Sequence, residues 1–275
     1  MAVLGVVIPT HRGSALLSRS IGSLVRQTVT RDVSVVVAVN HGSGASYERA
    51  VSLAPELRAT GMECTVIRTP AGRPAALRAA DRVLPPGARL YLDQDAALSP
   101  GAVATLLAVL APGTGVHFAA PSMRLAPARS VVTRAYFRIW RELPYVRGAP
   151  ATCGAYAVSA EGRSRWGELP DLHSDDKWVR WHFAPHERRV VSAEWYEVVA
   201  PDGLPALLRA RRRYQGGNRE LGRLAARPPF PDDHTRHHGI VRSLLANPPA
   251  AAVFLAVHAA GRMAPGRPQH RAGGD

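Results

Sequence analysis

The stretch Arg89-Leu90-Tyr91-Leu92-Asp93-Gln94-Asp95 joins an apolar run to two carboxylates. The run Arg89–Leu92 predicts a short buried strand, and Asp93 and Asp95 follow at its carboxyl end. In an open α/β sheet, ligands bind beyond the carboxyl ends of the strands. Two carboxylates two residues apart suit a hard divalent cation whose shell is completed by phosphate oxygens and water. The alternative interpretation is a solvated turn without a ligand. The motifs in the rest of the sequence help to choose between a cation site and such a turn.

Apolar, β-branched runs recur on both sides of this stretch and alternate with helix-period segments. The predicted strands are Val3–Ile8, Val33–Val39, Cys64–Ile67, Arg89–Leu92 and Gly115–Ala120. Helices are predicted between them, at Leu16–Val25, at Pro74–Leu84 and after Ser99-Pro100, where the serine would cap and the proline would open the first turn. This alternation predicts an α/β fold class, with a Rossmann-like, mostly parallel central sheet flanked by helices.

After Pro121 the alternation stops. The sequence predicts an amphipathic helix over Val131–Leu143 and strands at Ala155–Val158 and Arg189–Val199, before a basic helical segment. We therefore expect residues 1–120 and 121–225 to be two halves of one domain. Residues 226–263 are predicted to form a helical C-terminal extension, and the Gly-, Pro- and Arg-rich residues 264–275 a disordered tail.

Composition sets broad limits on function. The 275 residues are 46% apolar and 20% charged, which is ordinary for a globular protein and excludes a disordered or fibrous chain. With 35 basic and 21 acidic residues, the net charge of +14 favours anionic partners. Lys177 is the only lysine, so the arginine bias also reflects the composition of a GC-rich genome. No aromatic-rich motif of a nucleic-acid-binding domain is present, and we expect no nucleic-acid partner.

Cysteine usage and hydropathy bear on the compartment. Cys64 and Cys153 are too few for a disulfide framework and lack metal-ligand spacing, which fits a reducing compartment. Residues 1–10 are apolar but have no basic start and no small-residue cleavage pattern, so no signal peptide is predicted. The apolar run at 250–260 is too short to cross a bilayer. We expect a cytoplasmic protein.

Polar residues also follow the first two predicted strands. Thr10-His11-Arg12 follows the first, and Asn40-His41-Gly42-Ser43 follows the second. Neither a G-x-G-x-x-G sequence nor a Walker A sequence stands after the first strand, which disfavours dinucleotide and P-loop chemistry. The strand ends nevertheless predict a polar ligand site at one edge of the sheet.

Several motifs occur in an order and spacing that resemble family 2 glycosyltransferases with the GT-A fold, from Val6 to about Leu221. These motifs are Val7-Ile8-Pro9-Thr10, Gly72-Arg73-Pro74-Ala75-Ala76-Leu77, Leu92-Asp93-Gln94-Asp95 with Pro100 following, Gly154-Ala155-Tyr156-Ala157, Ser174-Asp175-Asp176 and Arg211-Arg212-Arg213-Tyr214. They resemble, in turn, the family's opening strand and nucleotide loop, a helix start, the metal-binding D-x-D, the acceptor-side strand, the catalytic acidic pair and the basic segment that closes over the diphosphate.

The resemblance implies transfer of a sugar from a nucleotide-diphosphate donor to a hydroxyl acceptor, usually with inversion. It implies Mg²⁺ or Mn²⁺ on Asp93 and Asp95, which would neutralise the leaving diphosphate. A carboxylate must take the acceptor's proton, and we prefer Asp176 to Asp175 for this role. The implied donor-binding residues are Pro9, Thr10, His11, Asn40, Arg73, Asp93 and Arg213. The acceptor would be a glycan, a lipid-linked glycan or a small molecule.

Two parts of the sequence depart from the family's pattern. Asn40-His41-Gly42-Ser43 stands where the family commonly has D-D-G-S, whose acids contact the nucleobase and ribose, so the base of the donor is left open. Arg78 stands where an asparagine is frequent. Nearer the C-terminus, His234, His237 and His238 have metal-ligand spacing that fits a polar loop equally well, and a C-terminal histidine completes the metal shell in some GT-A enzymes.

Three further segments carry expectations. Ser174 is predicted to cap a helix whose first turn holds two acids. Gln215-Gly216-Gly217-Asn218 is predicted to be a hinge that lets the arginine segment order upon donor binding. The apolar helix near Ile240–Met263 is expected to pack onto the domain, with docking on an acidic membrane as the alternative.

Two other functions stay open at the level of sequence. A nucleotidyltransferase would use a similar sheet, but it would need a Gly-rich loop with Arg or Lys directly after the first strand, which Thr10-His11-Arg12-Gly13 does not supply. A non-catalytic module would bind an anion or nucleic acid through its arginines, or would be a degenerate transferase. Salt-sensitive RNA binding without donor binding would favour that module.

Overall fold

A computed structural model describes residues 4–11, 15–40, 44–143, 146, 153–224, 228–231 and 238–263. The strands are β1 (Leu4–Thr10), β2 (Val33–Asn40), β3 (Glu63–Thr69), β4 (Ala88–Leu92), β5 (Ala96–Leu98), β6 (Phe118–Leu125), β7 (Ala155–Val158) and β8 (Arg188–Val198). The helices are α1 (Ala15–Val25), α2 (Gly44–Ala59), α3 (Arg73–Val83), α4 (Ala102–Val109), α5 (Val131–Trp140), α6 (Ala160–Arg163), α7 (Asp175–Arg180), α8 (Leu204–Gly222), α9 (His238–Ala246) and α10 (Pro248–Met263).

The eight strands of the described residues form one mixed sheet in the order β3-β2-β1-β4-β7-β6-β8-β5. β3, β2, β1 and β4 run parallel, and β6 runs parallel to β8. β7 is antiparallel to β4 and β6, and β5 is antiparallel to β8. The predicted α/β class and the parallel first half of the sheet are confirmed, and the antiparallel pairs all involve strands that follow β4 in the chain.

Most predicted strands coincide with observed ones. β2 is buried at all eight positions, as expected of a central strand covered on both faces. β7 spans the predicted residues Ala155–Val158. The strand expected from Gly115 begins instead at Phe118, because Gly115 has a φ of 71°, outside the extended region. The helix expected to end at Leu143 ends at Trp140.

Three of the described elements were not expected from the sequence: β5, α2 and the four-residue helix α6. β5 has only three residues, which is too short for a periodic pattern to show. α2 contains Pro55 in its interior, and proline ordinarily argues against a helix because it cannot donate a backbone hydrogen bond. Its buried positions Ala50, Leu53, Ala54 and Leu57 still recur at helical spacing, so packing against the sheet outweighs the unfavourable residue.

The expected serine cap of α4 is wrong. α4 begins at Ala102 with Gly101 as its N-cap residue, and that cap has no side-chain hydrogen bond. The Ser99 hydroxyl donates to Oε2 of Glu194 and accepts from the backbone N–H of Trp195 over 3.0 Å. Ser99 therefore ties β5 to β8, and this tertiary contact takes the hydroxyl away from the helix end.

Alternation along the strands divides the core between two faces of the sheet. On β1, Val6 and Ile8 pack into the core beneath α1, α2 and α4, whereas Val7 packs into the core beneath α3. Leu77 of α3 is fully buried in that second core, and burying one leucine side chain contributes about 1.5–3 kcal/mol. Burial of this face of α3 fixes its first residue, Arg73, at the edge of the sheet.

The C-terminal helices pack onto the domain, as expected. The predicted single segment is two helices separated by Asn247, directly before Pro248 and Pro249. Phe254 of α10 stacks on Tyr136 of α5 with ring centres 5.4 Å apart, inside a third core shared with α8. Within the described part of the chain, no helix has the length and apolar character needed to span a membrane. Residues 264–275, expected to be a disordered tail, lie outside the described residues.

Candidate active site

The parallel strands β1, β2 and β4 end at one edge of the sheet. Thr10 and Asn40 close β1 and β2, and the chain leaves β4 through Asp93-Gln94-Asp95. The Thr10 hydroxyl donates a hydrogen bond to Oε1 of Gln94, which ties this turn to β1. The acidic turn therefore lies at the edge where open α/β sheets bind their ligands.

The turn at Asp93 depends on Gly154, which directly precedes the neighbouring strand β7. The backbone N–H of Asp93 donates to the carbonyl oxygen of Gly154 over 2.7 Å. Gly154 has a φ of 128°, which L side chains rarely adopt, and a Cβ there would lie 2.5 Å from Cγ1 of Val198. Only glycine fits this position without a shift, so the Gly154 motif supports the acidic turn through its backbone.

Arg73 joins the two acidic motifs. It is the first residue of α3, with Pro74 at the helix start, as Gly72 turns the chain with a φ of 109°. Its Nη1 donates to Oδ1 of Asp93 over 2.5 Å, and its Nε donates to Oδ1 of Asp175 over 2.9 Å. A guanidinium has enough donors in one plane to hold two carboxylates. Arg73, expected to bind the donor, thus bridges the predicted metal motif and the predicted catalytic pair.

Asp175 is the buried member of that pair. It is 1% exposed, in the first turn of α7. Its Oδ2 is buried without a hydrogen-bond partner among the described residues. Burial raises the pKa of Asp175 to about 6; Arg73 opposes this rise and the charge of Asp176 adds to it. Carboxyl groups shifted in this way cluster at functional sites.

Asp176 lies beside it in a half-buried position. Its Oδ1 accepts from the backbone N–H of Lys177 over 2.8 Å. Ser174 occupies the N-cap position, but its side chain makes no capping hydrogen bond, contrary to expectation. The backbone of Ser174, with φ of −103° and ψ of 50°, lies outside the extended region from which a cap side chain reaches the helix N–H groups.

The hinge expected at Gln215-Gly216-Gly217-Asn218 is wrong, because these residues lie inside the continuous helix α8. Gly217 is buried against α7, and a Cβ there would lie 2.3 Å from Oγ of Ser174. Nearby, Nζ of Lys177 donates to Oδ1 of Asn218 over 3.0 Å. The glycine therefore permits close approach of two helices, which places α8 against the start of α7.

Arg213 brings a positive charge of α8 to the acidic turn. Burial raises the pKa of Asp95 to about 6 and the charge of Asp93 adds to the rise, whereas Arg73 and Arg213 oppose it. The guanidinium of Arg213 also lies 5.6 Å from the ring centre of Tyr214. The residue predicted to contact the diphosphate is exposed and lies near enough to Asp95 for its charge to act on that carboxyl group.

The other arginines of this run point elsewhere, as helical periodicity requires. Arg211 packs against α10, where a Cβ on Gly261 would lie 2.6 Å from its Cγ. Arg212 is exposed. Arg78, the departure from the family's asparagine, donates from Nη1 to the carbonyl oxygen of Leu169 over 2.9 Å. These side chains therefore support the fold or face solvent.

The predicted nucleotide-binding residues differ in exposure. Pro9 and Thr10 are buried within β1, and Asn40 is buried at the end of β2. His11 is exposed directly beyond β1. His41, the second departure at this loop, lies outside the described residues. The described members of this set come together at the same edge as the acidic turn.

Two buried tyrosines and one half-buried cysteine at this edge were not singled out from the sequence for a role in the site. Burial and the neighbouring charge of Asp176 raise the pKa of the Cys153 thiol to about 12. Burial also raises the pKa of Tyr156 and of Tyr196. The sequence contained one indication that Tyr156 lies at the site, its position inside the motif Gly154-Ala155-Tyr156-Ala157. For the other two residues there was none, because the pattern of a buried strand does not indicate which residues face a site.

Asp93 and Asp95 are hard oxygen donors of the kind that Mg²⁺ and Mn²⁺ accept. In the part of the chain that the structure describes, no group of three or more His, Cys, Asp or Glu side chains could hold a metal ion. With two carboxylates as protein ligands, the remaining coordination positions of a cation would be filled by water and phosphate oxygens. Mg²⁺ is usually bound in this way. His234, His237 and the side chain of His238 fall outside the described residues.

Neither a family model nor a curated protein matches the sequence. Solved structures do match. The mannosyltransferase PcManGT from Pyrobaculum calidifontis, in complex with GDP-Man and Mn²⁺, has a TM-score of 0.58 and 20% identity, over 97% of this chain and 76% of that one. The protein described here has the GT-A fold. The GT-A assignment agrees with the order of the strands and confirms the fold expected from the motifs.

A second match belongs to the same group. TarS 1-349 of S. aureus, in complex with UDP-GlcNAc, has a TM-score of 0.53 and 11% identity, over 93% of this chain and 72% of that one. The chain spans 43% of a longer TarS structure. At these identities the likeness shows the GT-A fold, and the chemistry must be argued from the side chains at its edge.

Proposed function

We propose that this protein is a metal-dependent glycosyltransferase of the family 2 type, which moves a sugar, of hexose type, from a nucleotide-diphosphate donor to a hydroxyl acceptor with inversion. The observation that carries the proposal is the bridge from Asp93 through Arg73 to Asp175. It brings a metal-type motif and an acidic pair from distant parts of the chain to one edge of a GT-A fold. The solved GT-A relatives bind GDP-Man with Mn²⁺ and UDP-GlcNAc, which supports this class of donor.

On this proposal, residues 1–120 bind the donor. Asp95, with Asp93 near the ribose, would hold Mg²⁺ or Mn²⁺, and the bound ion would stabilise the negative charge that develops on the diphosphate. Arg213 and Arg73, whose charges both act on Asp95, would contact phosphate oxygens through their guanidinium groups. The backbone and side chains at Pro9, Thr10, His11 and Asn40 would surround the nucleoside.

Residues 121–225 would bind the acceptor and supply the base. The acceptor oxygen forms a bond to the anomeric carbon as the bond to the diphosphate oxygen breaks, and attack from the opposite side inverts that carbon. The proton of the hydroxyl passes to a carboxylate, for which we propose Asp176. Asp175 would position Arg73. The Oδ1 atom of Asp175 already accepts a hydrogen bond from that guanidinium, and the Asp175 side chain is nearly inaccessible to solvent.

The acceptor would be a glycan, a lipid-linked glycan or a small molecule with a reactive hydroxyl. We propose a cytoplasmic location with a peripheral position at the inner face of the cell membrane, which suits a lipid-linked acceptor. His238 or a neighbouring histidine would complete the metal shell only if the chain between α8 and α9 returns to the site.

The test is a thermal-shift screen of UDP, GDP, dTDP and CDP, each with and without Mn²⁺. A ligand selective for the native state raises the melting temperature by mass action. We expect one nucleotide to stabilise the wild type only with metal, and D95N to lose that shift. E56Q, which removes an exposed carboxylate of α2, is the matched control and should keep it. Absence of any metal-dependent shift would instead favour a degenerate module.

A further inference from the structure

Two buried polar atoms at the candidate site have no hydrogen-bond partner among the described residues: Oδ2 of Asp175 and the phenolic hydroxyl of Tyr156. Both residues are 1% exposed. Burying such an atom without a hydrogen bond is costly, so an unpaired one in a native protein calls for an explanation. The hydroxyl is a donor and the carboxylate oxygen an acceptor, which makes each a suitable partner for the other.

The fold brings Tyr156 beneath the start of α7. Tyr156 lies on β7, and it packs in the second core together with Val179 of α7, the helix whose first residue is Asp175. Its ring stacks on Tyr91 of β4 and on Phe118 of β6, with ring centres 5.0 Å and 5.5 Å away. These contacts hold the ring, so the position of the hydroxyl oxygen is set by the packing of the core.

The charges around the hydroxyl are those of the candidate site. Burial raises the pKa of Tyr156, and among the neighbouring groups Asp175 has the largest effect on it, ahead of the stacked Tyr91. The guanidinium of Arg73 opposes the rise. The hydroxyl therefore lies within electrostatic reach of both members of the ion pair between Arg73 and Asp175.

We propose that Tyr156 is a positioning residue of the candidate active site, whose hydroxyl forms a hydrogen bond with Oδ2 of Asp175, directly or through one ordered water. Oδ1 of Asp175 already accepts from Nε of Arg73 over 2.9 Å, so the carboxyl group would be held at both oxygens. A phenolic hydroxyl donates to an ionised carboxylate and accepts from a protonated one, so the link fits either charge state of Asp175. A buried water that joins two otherwise unpaired polar groups is an ordinary part of a native protein.

The consequence for the reaction rests on the proposed function. Holding Asp175 at both oxygens fixes the direction in which Arg73 reaches Asp93 and the donor diphosphate. It also fixes the first turn of α7, in which Asp176 follows Asp175. Reacting groups must be held within about 0.5 Å of their productive geometry, so support of this kind matters for binding and rate. Tyr156 would act on donor binding through Asp175, without touching the donor.

The experiment is urea unfolding of the wild type, Y156F, D175A and the double variant Y156F/D175A. Phenylalanine keeps the stacked ring and removes only the hydroxyl. We expect Y156F to raise the equilibrium constant for unfolding about tenfold in the wild type and less than about twofold in D175A, where the partner is gone. A hydroxyl without any partner gives the opposite sign, because its removal relieves an unsatisfied buried group, and a stabilised Y156F would overturn the proposal.

Y91F is the matched control for this cycle. Tyr91 stacks on Tyr156, but its hydroxyl donates to Oδ2 of Asp81 over 3.1 Å. We expect Y91F to lose the same stability in the wild type and in D175A. If Y91F and Y156F coupled equally to D175A, the stack of rings and not the hydroxyl would be responding to Asp175, and the assignment of Tyr156 would be wrong.

Calorimetric titration with Mn²⁺ and the nucleotide identified in the thermal-shift screen supplies a readout that packing alone does not move. We expect Y156F to raise the dissociation constant about three- to tenfold, with no further change when it is added to D175A, because both act through one carboxyl group. Y91F should bind as the wild type does. Equal losses in both backgrounds would contradict action through Asp175. The unfolding cycle needs no nucleotide, so failure of the donor chemistry and failure of this inference are separate results.

Discussion

At the scale of the residue, Arg73 is the side chain on which the proposed site depends. Its two hydrogen bonds connect carboxylates that the chain places far apart, and one of these carboxylates is buried. A buried carboxylate without its partner is costly because the charge is taken out of water and left uncompensated. Arg73 therefore contributes to stability and is placed to contribute to donor binding.

We expect R73Q to lower the free energy of unfolding by about 2 kcal/mol, because Asp175 loses its charged partner. The double variant R73Q/D175N should recover most of this loss, since it removes the uncompensated charge as well. Urea unfolding of the four proteins in this cycle measures the coupling. R78Q, which removes another arginine of the same helix, is the control. Equal stability of R73Q and the double variant would contradict this account.

The acidic pair divides into two roles that substitution can separate. We expect D176N to lower kcat by about 10²–10⁴-fold, because the acceptor's proton loses its base, while the nucleotide-induced thermal shift is unchanged. D175N should reduce kcat less and should weaken donor binding, because it acts through Arg73. Steady-state kinetics with the donor found in the nucleotide screen check this. Full activity of D176N beside an inactive D175N would reverse the assignment.

At the scale of the element, the close contact of α8 with α7 replaces the flexible hinge that the glycines suggest. Gly217 of α8 packs closely against Ser174, and Oδ1 of Asn218 accepts a hydrogen bond from Nζ of Lys177. The same helix carries Arg213 toward the acidic turn. The geometry of the proposed site therefore depends on how tightly two helices pack.

A methyl group at this contact should disturb both stability and the site. We expect G217A to lower the free energy of unfolding by about 1–3 kcal/mol, since its Cβ would meet the Ser174 backbone nitrogen at 3.1 Å and its Oγ at 2.3 Å. G216A is the matched control: nothing lies within 4 Å of its Cβ, so it should stabilise α8 by up to about 1 kcal/mol. Thermal unfolding of both variants tests this, and equal effects would contradict the packing explanation.

At the scale of the whole molecule, burial of acids couples stability to pH. The pKa of Asp175 is raised from 3.8 to about 6, so the folded protein binds this proton more tightly than the unfolded chain does. For such a group, the free energy of unfolding falls as pH rises from about 4 to about 6, and it is constant outside that range. The charge of Arg73 limits this loss without removing it.

D175N should therefore gain stability relative to the wild type as pH rises. Asparagine keeps an acceptor for Arg73 but does not titrate, so the difference in free energy of unfolding should change in its favour by about 1–3 kcal/mol between pH 4 and pH 7. Urea unfolding of both proteins at four pH values measures this. D171N, which alters an exposed acid, should show no such trend. A difference that does not vary with pH would mean that Asp175 ionises normally.

The sequence by itself determined the parallel strands, the strand-end position of Asp93 and Asp95, and the ordered motifs that indicate a GT-A fold. These features follow from local patterns: strand-type runs that alternate with helix-period segments, β-branched residues within the runs, and polar residues directly after the strand ends. Helix α2 and the three-residue β5 were not predicted, because a proline inside the helix and a very short strand leave no clear periodicity.

Only the tertiary structure decided how these elements meet. It showed that Arg73 bridges Asp93 and Asp175, that Gly217 serves packing and not hinge motion, and which face of α10 is buried. Such contacts join residues distant in the chain, and their energies depend on distance, burial and the shape of the facing surface. A local pattern records which side chains are apolar or charged, but the partner that each one meets is fixed when the core packs.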